Sequence, residues 1–162
     1  MEKQEQRGRP RQDPDVRRRQ ILDMAATMFA ERGYRASSMQ EIADRLGIAK
    51  GTVYLYFAGK RELFLGAVQQ AIESLADKID GEVQLVAGPL EKIEAILRAH
   101  FGFFNENRQL AEIIAQERGE FLTHAEDSYY RVFSENARHL EDILMSGIAD
   151  GVFRDADVKQ TT

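Results

Sequence analysis

The residues best placed to do chemistry lie between Ser38 and Lys60. Ala49-Lys50-Gly51-Thr52 is a slim stretch, and Lys50, Thr52, Tyr54 and Tyr56 bring hydrogen-bond donors within two helical turns. A slim helix front allows close approach to another surface, and donors of these kinds serve phosphate oxygens and base edges. Further upstream, Arg7-Gly8-Arg9-Pro10-Arg11 alternates arginines with residues that add little bulk. Proline sets an extended local path and glycine lets the backbone come close. Such a strip fits a minor groove, whose negative potential is strongest where A·T pairs narrow it. Other chemistries lack their parts. The chain has no cysteine, which excludes disulfides, thiolate metal sites and cysteine nucleophiles. His100, His124 and His139 do not follow a metal-ligand spacing, so neither a metal nor a cofactor is expected. Glu117 with Glu120, and Glu126 with Asp127, could be imagined as acid–base pairs, but no nucleophile or oxyanion motif accompanies them, and the chain is not read as an enzyme.

The elements that position these residues must be short helices joined by a tight turn. Ser38 and Glu41 form a capping box ahead of Met39, Ile42, Ala43 and Leu46, the apolar face of one helix. Gly47 ends that helix where a positive φ is needed. A second short helix follows from Ala49 or Lys50 to Phe57, with Val53 inward and Ile48 beside the turn. Two helices joined this way make a helix-turn-helix, whose second helix enters the major groove with its first residues leading. The rival reading of the same pattern is a helical protein-interaction adaptor that binds no DNA; the steep salt dependence of phosphate binding separates the two.

The remainder of the chain reads as helical too. Asp13 caps and Pro14 opens a first helix, with Ile21, Leu22, Ala25, Ala26 and Phe29 as its apolar stripe and Gly33 as its stop. A fourth helix starts near Gly59 and carries Leu63, Phe64, Ala67, Val68, Ala71, Ile72 and Leu75 inward. Gly81 and then Gly88-Pro89 break the chain, and a fifth helix presents Leu90, Ile93, Ile96, Leu97, Phe101 and Phe104 on one side. His100 falls on that apolar face, where a hydrogen-bonded core histidine is expected. Leu110 to about Phe121 and Ala125 to Ile148 read as a sixth and a seventh helix. The expected class is all-α, with a flexible basic arm over 1–12, a DNA-binding head over 13–58 and a helical regulatory body over 59–162. The 162 residues, 43% hydrophobic, suffice for a core; with no apolar run near the roughly 20 residues of a membrane span and no signal peptide, a cytoplasmic protein is expected. Charge is divided unevenly. Residues 1–60 hold 12 Lys/Arg against 8 Asp/Glu, a net +4; residues 61–162 hold 10 against 19, a net −9. A basic head on an acidic body places any polyanion partner at one end.

Residues 20–65 resemble the head of the tetracycline-repressor (TetR) family of bacterial regulators. The resemblance rests on Ile21 to Gly33 (ILDMAATMFAERG), Ser38 to Gly47 (SMQEIADRLG), Ile48 to Phe57 (IAKGTVYLYF) and Gly59 to Phe64 (GKRELF). It implies a three-helix head, a helical ligand-binding body, and a homodimer that reads palindromic double-stranded operator DNA and is released by a small apolar or amphipathic effector. By position it places Lys50, Gly51, Thr52, Tyr54 and Tyr56 in the recognition helix and Lys60 on a phosphate. With Ser38, Arg7, Arg9 and Arg11 these make up the expected DNA-binding set. Phe64, His100, Phe101, Phe104, Phe121, Tyr130 and Phe133 are the candidate ligand-binding residues. Two departures stand out. Ala49 occupies a position where the family often has Ser or Thr, so a hydroxyl cap is missing. The sequence also stops at Thr162, where the family body continues with two dimer-forming helices; any dimer contact is then expected from the sixth and seventh helices.

Overall fold

The computed structural model describes residues 13–121 and 128–154, with side chains described over 13–116 and 139–154. Among the described residues every regular element is a helix: α1 (Pro14–Ala36), α2 (Met39–Leu46), α3 (Lys50–Tyr56), α4 (Lys60–Val83), α5 (Pro89–Glu106), α6 (Arg108–Phe121) and α7 (Ser128–Ala149). Local chemistry accounts for most boundaries. The Asp13 carboxylate accepts the Asp15 N–H at 2.9 Å, and Pro14 opens α1, where no backbone donor is needed. Gly47 closes α2 in the left-handed region (φ 62°, ψ 34°), and its N–H returns to the carbonyls of Ala43 and Asp44. Gly88 and Pro89 start α5 as expected.

Two cores hold the helices together. The first gathers Ile21, Leu22, Ala25, Met28 and Phe29 of α1, Ile42 of α2, Val53 of α3, Leu63, Phe64, Ala67, Val68 and Ala71 of α4, and Ile113 and Ile114 of α6. The second, among the described residues, sets Leu75 and Ile79 of α4 against Ala99 and Phe103 of α5. α4 therefore serves both, packing on α1 in its first half and on α5 in its second.

Three expectations need correction. Gly81 does not break the chain, because α4 runs through it to Val83. Burial of Ile79 and packing of Val83 outweigh the roughly 1 kcal/mol that a helical glycine costs. The face of α5 is also rotated from the expected one. Ala95, Ala99 and Phe103 are buried, whereas Leu90 (58%), Leu97 (51%) and Phe101 (69%) stay largely exposed. Ala99 and Phe103 pack on Leu75 and Ile79 of α4, and that contact orients α5 in place of the larger side chains. His100 turns outward with them. It is an exposed residue whose ring lies edge-on to Phe104 at 5.0 Å and Phe101 at 5.8 Å. Desolvation by these neighbours lowers its pKa below the ordinary histidine value.

Gly33 does stop the first run of α1, though not as a left-handed cap. Its φ of 81° is paired with an extended ψ of 159°, after which the chain makes a last helical turn to Ala36. This backbone region is close to glycine-only. A Cβ built at Gly33 meets nothing within 4 Å, so substitution there is a conformational problem and not a steric one. Gly33→Ala is expected to lower stability by about 1–3 kcal/mol, measured by urea unfolding. An unchanged midpoint would show that the break tolerates a side chain.

Candidate nucleic-acid interface

The helix-turn-helix is assembled from the first core outward. Ser38 Oγ caps α2 by accepting the Glu41 N–H at 3.2 Å, and its hydroxyl donates to Glu41 Oε2 at 2.9 Å. The carboxylate thus takes the hydroxyl proton and does not reach back to the Ser38 N–H as in a reciprocal capping box. Its other oxygen pairs with Arg32 at 2.9 Å, tying α2 to α1. Ser38, expected among the DNA contacts, has its hydroxyl committed to this cap.

Past Gly47, Ile48 and Leu46 pack on the core and Val53 is fully buried, which fixes the rotation of α3. Lys50, Gly51 and Tyr54 consequently lie exposed, with Lys50 Nζ 5.7 Å from the centre of the Tyr54 ring. Thr52 is half-buried beside them. Tyr56 is also half-buried and packs against the core, so its contribution outside is narrower than the sequence suggested. The sequence reading left out Leu55. It lies two residues, or about 200° of helix rotation, beyond Val53 and is 83% exposed. The signal was available: a residue that far around from a buried valine must point away from the core, whatever its polarity. Gly51, one turn earlier, shares its side. The centre of the outer face of α3 is therefore a glycine and a leucine, flanked by Lys50 and Tyr54.

Lys60 opens α4 beside this face. Its Nζ donates to the Arg35 carbonyl at 3.0 Å and sits 4.6 Å from the centre of the Tyr34 ring. The Tyr34 ring is in turn edge-on to Phe64 at 5.0 Å. The start of α4 is also held by the Ala58 N–H, which donates to Glu62 Oε2 at 2.6 Å. Arg18 of α1 stacks over Phe57 with its guanidinium carbon 5.3 Å from the ring centre, bracing the end of α3. Arg7, Arg9 and Arg11 lie outside the described residues.

The candidate ligand residues do not form one group among those described. Phe64 is fully buried in the first core, edge-on to Phe29 at 5.0 Å. His100 and Phe101 lie exposed on α5, with Phe104 beside them half-buried and packed against both cores. The side chains of Phe121, Tyr130 and Phe133 lie outside the described residues. Among the described residues there is no group of three or more His, Cys, Asp or Glu placed to hold a metal ion, and no helix long and apolar enough to cross a membrane.

The missing cap on α3 generates a test of the local physics. Ala49 stands in extended conformation (φ −66°, ψ 141°) and gives no side-chain hydrogen bond to the helix start. Ala49→Ser is expected to raise stability by roughly 1 kcal/mol in thermal or urea unfolding. A neutral or lower stability would show that the N-terminal donors of α3 already have adequate partners in water.

Comparison with known proteins gives this geometry a family. Residues 21–67 match the model for bacterial regulatory proteins of the tetR family, and residues 86–162 match that for a tetracyclin repressor-like C-terminal domain. The HTH-type transcriptional repressor KstR2 of Mycobacterium tuberculosis is 33% identical over 144 residues, covering 88% of this chain and 72% of that protein. The fatty acid metabolism regulator protein of Bacillus subtilis is 25% identical over 136 residues, covering 84% and 70%. Among solved structures, the fatty acid degradation regulator FadR of Bacillus halodurans superposes with a TM-score of 0.77 at 26% identity, over 93% of this chain and 77% of that one. The ketosteroid transcriptional regulator KstR2 of Mycobacterium tuberculosis superposes with a TM-score of 0.70 at 31% identity, over 93% and 78%. The outer face of α3, the matched head and C-terminal domain, and these relatives agree: the chain belongs to the tetR family of bacterial regulatory proteins and is a DNA-binding, ligand-responsive transcriptional regulator.

Proposed function

We propose that this protein represses its genes from the cytoplasm by binding a palindromic operator as a homodimer, and leaves the operator when a small apolar or amphipathic effector occupies the body. The observation that carries the DNA half is the outer face of α3, where Lys50, Gly51, Tyr54 and Leu55 lie exposed immediately after a left-handed Gly47. In this reading residues 1–12 are a minor-groove arm, 13–58 the head and 59–162 the regulatory body. Lys50, Tyr54 and Lys60 bond phosphates or base edges, and Thr52 and Tyr56 add contacts from the flanks. Relatives named for ketosteroid regulation and for fatty acid degradation support an apolar effector, and the partly open set His100, Phe101 and Phe104 on α5 offers the surface type such a molecule would cover. Relatives named as HTH-type transcriptional repressors favour this reading over an adaptor without DNA binding, and no catalytic role is proposed.

The test starts from a duplex selected by the protein from a random pool. Binding should weaken steeply with salt, and palmitate, palmitoyl-coenzyme A or a 3-ketosteroid should release it. Loss of salt dependence would contradict the DNA half, and indifference to all three compounds the effector half. Lys60→Ala should weaken binding to selected and random duplexes alike and reduce the slope of log K against log salt by roughly one unit. A variant impaired only on the selected duplex would remove the phosphate assignment.

Leu55 has a separate expected outcome. An exposed leucine on the groove side of a recognition helix finds its apolar partner in the C5-methyl group of thymine. Replacing single thymines of the half-site by deoxyuridine removes that methyl alone. At one position the wild-type chain should lose about 0.8 kcal/mol, or roughly fourfold in affinity, and Leu55→Ala should lose nothing further there. Equal losses in both proteins would place Leu55 off the bases.

A further inference from the structure

We infer that Gln116 is a positioning residue for DNA binding, a clasp through which the body fixes the head. It lies on α6, and its carboxamide spends both ends on the main chain of α1. Oε1 accepts the Tyr34 N–H at 3.1 Å, and Nε2 donates to the Phe29 carbonyl at 3.1 Å. These bonds span 82 and 87 residues of sequence and straddle Gly33, where α1 breaks. A backbone N–H needs an acceptor and a carbonyl needs a donor, so only one orientation of the carboxamide satisfies both. Glu112, one turn earlier on α6, lies 3.4 Å from Nε2 and favours the same orientation.

The clasp is aimed at the DNA side of the head. Tyr34 donates its N–H to the clasp and carries Lys60 over its ring, and the adjacent Arg35 carbonyl accepts from Lys60 directly. The path from Gln116 to Lys60 thus passes through two consecutive residues of the segment beyond the break. That segment is also held by Ser37, a buried residue whose hydroxyl lies 2.9 Å from the Gly33 carbonyl and 3.2 Å from that of Met28. Ser37 ties the segment to the rest of α1. Gln116 ties it to the body. Because the clasp grips backbone atoms next to a residue whose conformation is nearly reserved to glycine, it constrains where the segment lies and adds no charge to the interface.

This inference rests on the proposed DNA binding and is tested so that the two can fail separately. Gln116→Met keeps the length of the side chain and removes both bonds. Measured on the full chain with a duplex selected from a random pool, and corrected for active fraction, Gln116→Met should bind about tenfold more weakly, with the salt slope reduced by up to about one unit because the contact weakened is that of Lys60. In the Lys60→Ala background the same substitution should cost less than about threefold, because the clasp acts through Lys60. The Tyr34 amide should exchange faster with solvent in Gln116→Met. A clasp that only braces the fold would lower the melting temperature and leave the affinity of the active fraction unchanged; that result overturns the inference, as does a full tenfold loss in the Lys60→Ala background. A wild-type chain that selects no duplex overturns the regulator reading itself.

Discussion

The arrangement depends on α4 being buried twice. Its first half contributes Leu63, Phe64, Ala67, Val68, Ala71 and Ile72 to the core that contains the DNA-binding helices, and its second half contributes Leu75 and Ile79 to the core of the body. Each large apolar side chain fully buried in this way contributes on the order of 1.5–3 kcal/mol. The first half is therefore firmly seated and cannot slide without dismantling the head. At 1.5 Å per residue the helix is a rod of roughly 36 Å. The Phe64 ring is its anchor point, edge-on to both Phe29 and Tyr34, in a cluster whose aromatic geometry adds about 0.5–1.5 kcal/mol per pair.

How much of this was legible in the sequence follows from how local each cause is. Asp13-Pro14, Ser38 with Glu41, Gly47 and Gly88-Pro89 act on their own backbone neighbours, and each boundary appears where the residue type requires it. The rotation of α3 is equally legible from Val53 alone, which turns Leu55 outward despite its apolar side chain. Gly81 reads as a break because its cost near 1 kcal/mol is local, whereas the burial that offsets it is tertiary. The face of α5 differs from its sequence pattern for a related reason. Large apolar residues advertise burial, yet on α5 it is Ala99, with Phe103, that packs against α4. Gln116 carried no signal at all. Nothing distinguishes a glutamine that will satisfy a distant broken helix from one that will face water until the two helices are placed together.

The electrostatics of the head are shaped by the same packing. Arg32 is paired with Glu41 and Arg45 with Glu31, at 2.9 and 3.0 Å, and all four side chains remain partly exposed. Pairs of this kind are worth about 0–1 kcal/mol to stability. Their larger effect is geometric: they hold α2 against α1 and take two arginines of the basic half out of the positive field. With these two pairs neutral, the net +4 of residues 1–60 is carried by the other charged residues, Lys50 and Lys60 among them.

The two cores meet on α5 and α6. The first draws its described residues from five helices; the second, among the described residues, rests on Leu75, Ile79, Ala99 and Phe103, with Phe101 and Leu97 exposed on α5. Phe104 and Leu110 pack against both cores. Leu110 is on α6, and six residues further along the same helix, about 9 Å, is Gln116. Ile113 and Ile114, between them, are buried in the first core and seat α6 on the head. A hydrogen bond at 3.1 Å weakens steeply when its partner moves by half an ångström or turns away, and the carboxamide makes two such bonds to backbone atoms that cannot follow it. The two Gln116 bonds therefore depend on how α6 is seated, and Leu110, Ile113 and Ile114 seat it.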